Sequence, residues 1–243
     1  MTAATSDDGT TGPATPSRVL DEGDLEIVGR MPWSSNGTFL AEACRDGRTE
    51  RGIYKPRKGE RPLWDFPLGL YVREAAAYLL SDALGWSVIP YTIVRDGPLG
   101  VGSLQAFVDA DFEQHYFTLV EDDRHRSDLE RICVFDLIAN NTDRKSGHCL
   151  LGRDGRIYGI DNGLAFHQEF KLRTVLWDFA GDPIPEPLLA DVERFVDAGV
   201  PPALADLLDT FECDALLTRA RAVLREATFP VDHTGRRYPW PLV

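Results

Sequence analysis

The stretch NNTDRKSGHCLLGRDGRIYGIDNGLAF, residues 140–166, constrains the fold of this chain more than any other segment. It sets two carboxylates, Asp143 and Asp161, at the ends of an expected β-hairpin over roughly residues 148–160. Asp143 follows an apolar helix-like run, SDLERICVFDLIAN (127–140), with Ser127 as its expected cap and Glu130 three residues later. Turn chemistry alone accounts for Asn141, Thr142 and Asp143, because all three side chains favour local hydrogen bonds to backbone. Asp161 asks for more: a carboxylate between an apolar strand and a glycine can enter a cleft and offer oxygen to a divalent ion.

Upstream the pattern is strand-rich. LEIVGRMPW and TFLAEACR flank the turn Ser34-Ser35-Asn36-Gly37, and Asn-Gly between apolar runs signals a hairpin. RGIYKP is a further strand that ends, or lies at an edge, at Pro56. Residues 57–70 are a connecting loop, and VREAAAYLLSDALGW is a helix with Ala76, Leu79, Leu80, Ala83 and Leu84 on one stripe and Gly85 as its stop. VIPYTIV and GVGSLQAFV add two strands, and the chain is mostly helical from Glu186 to Thr228. Strands first and helices later predict an α+β fold of two lobes, 19–108 and 109–243, behind a disordered tail at 1–18.

Composition narrows the function. There are 26 Lys and Arg against 39 Asp and Glu, a formal net charge of −13, which opposes broad nucleic-acid binding and attachment to anionic lipid. The four cysteines are scattered without a CxxC pair, which predicts a reducing, cytoplasmic setting and no structural zinc. No secretory signal and no bilayer-spanning run is expected.

The chemistry lies in combination. A metal-dependent phosphotransferase uses one carboxylate to orient the attacking hydroxyl, another to hold the ion on the nucleotide phosphates, and a strand lysine on those phosphates. Lys55 of IYKP is the strand lysine, and Glu74 is its candidate helix partner although it lies off the apolar stripe. Taken singly, each is outweighed by a plainer role, a solvated lysine or a surface turn.

Their order resembles the phosphatidylinositol 3-/4-kinase superfamily, and the type II phosphatidylinositol 4-kinases most closely. SSNGTF resembles a phosphate-covering loop, IYKP the lysine strand, REAAAYLLSDALGWSVIPYT the helix and next strand, and GSLQAFV the strand entering the hinge. NNTDR and IDNGLAF resemble the catalytic and metal-binding segments, and the likeness covers roughly residues 30–180. The resemblance implies a bilobal protein-kinase-like fold, ATP as nucleotide, Mg²⁺ or Mn²⁺, and transfer of the γ-phosphate to an unidentified hydroxyl acceptor. It makes Asp143 catalytic with Arg144 supporting the loop, and Asp161 a metal ligand. Ser35, Asn36, Gly37, Thr38, Lys55 and Glu74 would surround the phosphates, and Gln105, Ala106, Phe107 and Val108 would meet adenine. Lys171 and Arg173, at the activation-loop position, are weighed as a solvated face first and as contacts to an anionic acceptor second.

Two departures stand out. The superfamily carries asparagine five residues after the catalytic aspartate, where this chain has His148, a second candidate metal ligand better suited to softer ions. The cysteine-rich insert of the type II lipid kinases has no counterpart in residues 57–70. A pseudokinase that binds nucleotide without transfer is the competing reading, and nucleotidyl transfer the third.

Overall fold

The computed structural model describes residues 12–32 and 37–242. After a short helix α1 (Arg18–Glu22), strands β1 (Asp24–Arg30), β2 (Phe39–Arg45), β3 (Arg48–Pro56), β4 (Thr92–Gly97) and β5 (Gly100–Ala106) form one antiparallel sheet in the order β1-β2-β3-β5-β4. The β1–β2 hairpin closes where the Met31 amide donates to the Thr38 carbonyl (2.9 Å), so the expected turn falls within the connection 32–37. Ser35 and Asn36 lie outside the described residues. Strand β3 ends at Pro56 opposite Gly102, where a Cβ would stand 2.5 Å from the Lys55 carbonyl oxygen. Only glycine lets β5 approach the end of the lysine strand that closely.

Helix α2 (Leu70–Ala83) packs on β4 and β5. Its first turn is satisfied from the preceding loop: Glu60 accepts from the Gly69 and Tyr71 amides at 3.1 and 2.7 Å. Ala76, Leu80 and Leu84 of the expected stripe are fully buried, Leu79 and Ala83 partly so, and Gly85 takes positive φ as the stop. Arg73 and Glu74 are also buried, on faces away from that stripe.

The second half is built on α4 (Arg126–Ala139), reached through a two-residue strand β6 (Ala110–Asp111) and a one-turn helix α3 (Tyr116–Leu119). Ten of its fourteen residues are buried. Ser127 does not cap it. The helix starts one residue earlier, out of a 3₁₀ turn at Asp123–His125, and Glu130 pairs with Arg126 at 2.7 Å. The hairpin forms as strands β7 (Cys149–Gly152) and β8 (Ile157–Gly159), joined by β6 into a second sheet. Helices α5 (Glu186–Ala198), α6 (Pro202–Ala205) and α7 (Thr210–Glu226) follow, with α7 packed on α4 and α5.

One apolar core runs from Leu20 and Tyr54 through Phe135 and Phe166 to Phe229, continuous beneath both sheet and helices. Residues 12–18, expected to belong to a disordered tail, are part of this packing: the Tyr91 amide donates to the Pro13 carbonyl (2.8 Å), and Ser17 caps α1. Residues 1–11 lie outside the described residues. The architecture is α+β and bilobal, a sheet-rich lobe on a helical one.

Candidate active site

Lys55, on β3, reaches across to α2 and to the segment after β8. Its ammonium contacts Glu74 Oε1 and lies 2.9 Å from Asp161 Oδ1. Burial opposes the charge on Lys55, but the Asp161 and Glu74 carboxylates outweigh it and hold the ammonium protonated. Lys55 in turn depresses Asp161 well below the usual carboxylate range. The other oxygen of Glu74 accepts the Asn162 amide at 3.0 Å. One α2 carboxylate therefore fixes both the strand lysine and the backbone next to Asp161.

Asp161 sits in left-handed backbone (φ 58°), which turns the chain sharply at the end of the hairpin and leaves its side chain half exposed. Asparagine and aspartate tolerate that conformation best among residues with a Cβ. Asn140 takes the same conformation at the end of α4 (φ 56°), and its side chain donates to the His167 and Glu169 carbonyls.

Asp143 lies between these turns. Its amide donates to Asn141 Oδ1 (3.0 Å), and Oδ2 is 3.1 Å from Lys145 Nζ. Burial raises the Asp143 carboxyl, Lys145 opposes the rise, and the Asp161 charge adds to it. Asp161 thus acts on both Lys55 and Asp143, and Lys145 is a second cation beside Asp143.

Arg144 points the other way, into the protein. It is fully buried, paired with Asp136 of α4 through two 2.9 Å hydrogen bonds, and it also donates to the Ile160 carbonyl (2.7 Å) and Asn162 Oδ1 (2.6 Å). A guanidinium fork suits such planar, multiple acceptors. Arg144 ties the segment carrying Asp143 to the one carrying Asp161, and is a positioning residue.

His148 is the structure's most specific answer to the sequence. Its Nε2 lies 3.4 Å from Asp161 Oδ2, and its Nδ1 accepts from the Lys145 amide. That amide selects the Nε2–H tautomer, and at 3.4 Å the contact with Asp161 is an electrostatic one. Burial pushes the imidazole down to about 4, so it is neutral at neutral pH. Among the described residues no group of three or more His, Cys, Asp and Glu side chains forms a metal cluster.

At the expected hinge, Gln105 is buried and its amide donates to Thr92 Oγ1 (2.9 Å). The Ala106 and Phe107 amides donate to the Tyr91 and Arg51 carbonyls, while Val108 packs in a small cluster with Ala110, Leu150 and Tyr158. Thr38 is buried, and Gly37 donates its amide to the Gly59 carbonyl (3.0 Å). Those two residues brace the loop base on the turn that follows β3.

Four residues absent from the sequence-level site belong to its framework: Asp136, Lys145, Asn162 and Glu212. Glu212 completes a capping box at the start of α7 with Asp209 and uses its remaining oxygen for the buried Arg73 of α2. Asp136 carried a signal, an acid within the apolar run ICVFDLIA eight residues before an arginine. Glu212 carried none, since its partner is 139 residues away.

Known proteins give this geometry a context. "Protein Rv2133c" of Mycobacterium tuberculosis is 41% identical, across 92% of this chain and 94% of its own length. The "Phosphatidylinositol 4-kinase gamma 4" of Oryza sativa subsp. japonica is 31% identical over 44% of this chain, and the match spans 22% of that protein. Two solved structures share the fold at low identity. The Helicobacter pylori proinflammatory kinase CtkA has a TM-score of 0.50 and 11% identity over 86% of this chain and 94% of its own. Hydra Fam20, solved with sugar, has a TM-score of 0.53 and 12% identity over 86% and 87%. The profile of phosphatidylinositol 3- and 4-kinases matches residues 73–219, from the α2 pair Arg73-Glu74 to the end of the buried framework in α7. The chain belongs to the phosphatidylinositol 3- and 4-kinase family.

Proposed function

We infer that this protein is an ATP- and divalent-metal-dependent phosphotransferase that moves the γ-phosphate to a hydroxyl acceptor. The observation that carries the reading is Lys55 held between Glu74 and Asp161, which puts a fixed cation and an ionised carboxylate side by side. Lys55 would meet the α/β-phosphates, and adenine would lie against the strand end at Gln105–Val108. Asp143 would accept a hydrogen bond from the acceptor hydroxyl and orient it in line with the γ-phosphate. Lys145, beside Asp143, would offset negative charge on the group in transfer. The half-exposed, ionised Asp161 fits Mg²⁺ or Mn²⁺, since such ions in phosphotransferases take one or two carboxylates and complete their shell with phosphate oxygens and water. The bound ion would neutralise phosphate charge as the γ-phosphoryl leaves. His148 would stand beside Asp161, its Nε2 3.4 Å from Oδ2, rather than ligate the ion itself. Four unpaired cysteines suit a reducing cytoplasm.

The neutral His148 at the asparagine position favours one competing reading, a nucleotide-binding pseudokinase. Thermal melting with ATP and Mg²⁺ or Mn²⁺, paired with product analysis from labelled ATP, separates the two. Stabilisation of about 2.7 kcal/mol at one hundred times the dissociation constant, with label moved to an acceptor, supports transfer. Stabilisation with every acceptor left unlabelled supports the scaffold, and no stabilisation with any metal sinks both.

A further inference from the structure

Residues 12–17 cross from one lobe to the other. At one end the Gly12 backbone runs past the β7–β8 hairpin, where a Cβ would stand 3.6 Å from Tyr158 Oη and 3.7 Å from Asp154 Oδ2. At the other end Ser17 caps α1, and Arg95 of β4 donates to the Leu20 and Gly23 carbonyls, which fastens α1 to the sheet. Between the ends the Tyr91 amide donates to the Pro13 carbonyl (2.8 Å). The Tyr91 carbonyl in turn accepts from the Ala106 amide at the end of β5 (2.7 Å). Backbone bonds therefore run from this segment to the residue before Phe107 and Val108.

Ala14 supplies the apolar contact of the crossing. It packs against the cluster of Val108, Ala110, Leu150 and Tyr158, which Ile160 also joins. Val108 ends the strand segment proposed to meet adenine, and Ile160 immediately precedes Asp161, the proposed metal ligand. One small side chain thus braces residues beside both ends of the nucleotide site. The surface it meets is rigid: Leu150 and Tyr158 are cross-strand partners, and the fully buried Tyr158 donates its hydroxyl to Asp154 (2.6 Å).

The hold of the segment is slight. Helix α1 buries Val19 and Leu20 in the main core, whereas Gly12, Pro13 and Ala14 are only partly buried. A segment fastened by one methyl group and one backbone bond opens locally while the core around it stays folded. Its docking is a support that can be withdrawn without unfolding the protein.

We propose that residues 12–14 are a strap that positions the nucleotide site. Docked, the strap ties Val108 to Ile160 across the lobe boundary and preorganises the surface that receives the nucleotide. Withdrawn, it leaves that surface to be ordered at the expense of binding. Ala14 is a positioning residue, acting through Val108 and Ile160. The ligand in this assignment rests on the phosphotransferase reading; the docking of the strap does not.

The test compares full-length wild type with A14D, which sets a charge in the apolar cluster beside Asp154, with A14G, which removes the methyl alone, and with A14S as the conservative variant. Hydrogen exchange at the Tyr91 amide reports docking, and calorimetric titration with ATP and Mg²⁺ reports affinity. In A14D the Tyr91 amide should exchange at least about tenfold faster. Its ATP dissociation constant should rise at least about fivefold while the nucleotide-free Tm falls by no more than about 4 °C. A14G should move both readouts in the same direction by less, and A14S should match wild type. Faster exchange with ATP affinity unchanged overturns the proposal, as does Tyr91 exchange that A14D and A14G leave as in wild type. Wild type that binds no ATP, with Tyr91 exchange still following residue 14, sinks the phosphotransferase reading and the positioning role with it, and leaves an interlobe tether alone.

Discussion

Replacing Arg144 by methionine tests the framework directly. The guanidinium is fully buried, and its partner Asp136 is 1% exposed, so removing it strands a carboxylate where water cannot reach. Breaking a buried pair from one side costs about 3–5 kcal/mol. For a chain of this size each kcal/mol lowers Tm by about 2–4 °C, so a fall of roughly 6–20 °C is expected by calorimetry at pH 7. The loss should depend on pH. Burial already raises the Asp136 carboxyl, and Arg144 opposes the rise. Without Arg144 the folded-state carboxyl rises further above its unfolded value, so the folded variant binds protons more readily. Its stability is then greater at low pH and falls as pH rises through that folded-state value, and the gap to wild type widens from pH 5 to pH 8. Changing Asp136 to leucine in the same chain removes the stranded charge and should recover most of the loss. A double variant less stable than either single would refute the reasoning, as would an Arg144→Met protein within about 1 kcal/mol of wild type.

Other perturbations reach other parts of the site. Asp161→Asn should abolish phosphate transfer and shrink the ATP–metal melting shift while the metal-free Tm stays near wild type; wild-type turnover would remove Asp161 from its proposed role. His148→Asn installs the residue that the family resemblance implies there and should hold or raise Mg²⁺-dependent turnover, and a fall beyond about tenfold would show that the imidazole is needed beside Asp161. Glu212→Ala removes the acceptor of the Asp209 amide in the α7 capping box and leaves Arg73 buried without its partner, for about 3–5 kcal/mol measured by urea unfolding; a loss below about 1 kcal/mol would show that Arg73 finds another acceptor. Gly102→Ala forces a methyl against the Lys55 carbonyl and should cost about 1–3 kcal/mol together with nucleotide affinity, read from melts with and without ATP.

What the sequence disclosed followed from how local each signal was. The lysine strand, the helix with Glu74 and the two aspartates at the hairpin ends are written in short windows of periodicity and turn residues, and they lie as the α+β reading required. The orientation of Glu74 was not legible, because a position off one apolar stripe faces either solvent or a second buried surface. Here the second surface exists because Lys55 and the Asn162 amide converge on it. The expected cap at Ser127 failed because the chain enters α4 from a 3₁₀ turn held by Asp122, which accepts from the Arg124 amide at 3.0 Å. The role of residues 12–18 was hidden because a Ser, Thr and Pro composition reads as disorder until a partner such as the Tyr91 amide is in view.

Neighbours on α2 face different masters. Glu74 grips Lys55 of β3, and Arg73, one residue before it, is locked to Glu212 of the helical lobe. Any swing of this helix that let Lys55 go would have to tear a buried arginine from its partner in the same motion. Regulation of the proposed transfer reaction by moving α2 would therefore have to overcome that buried pair as well.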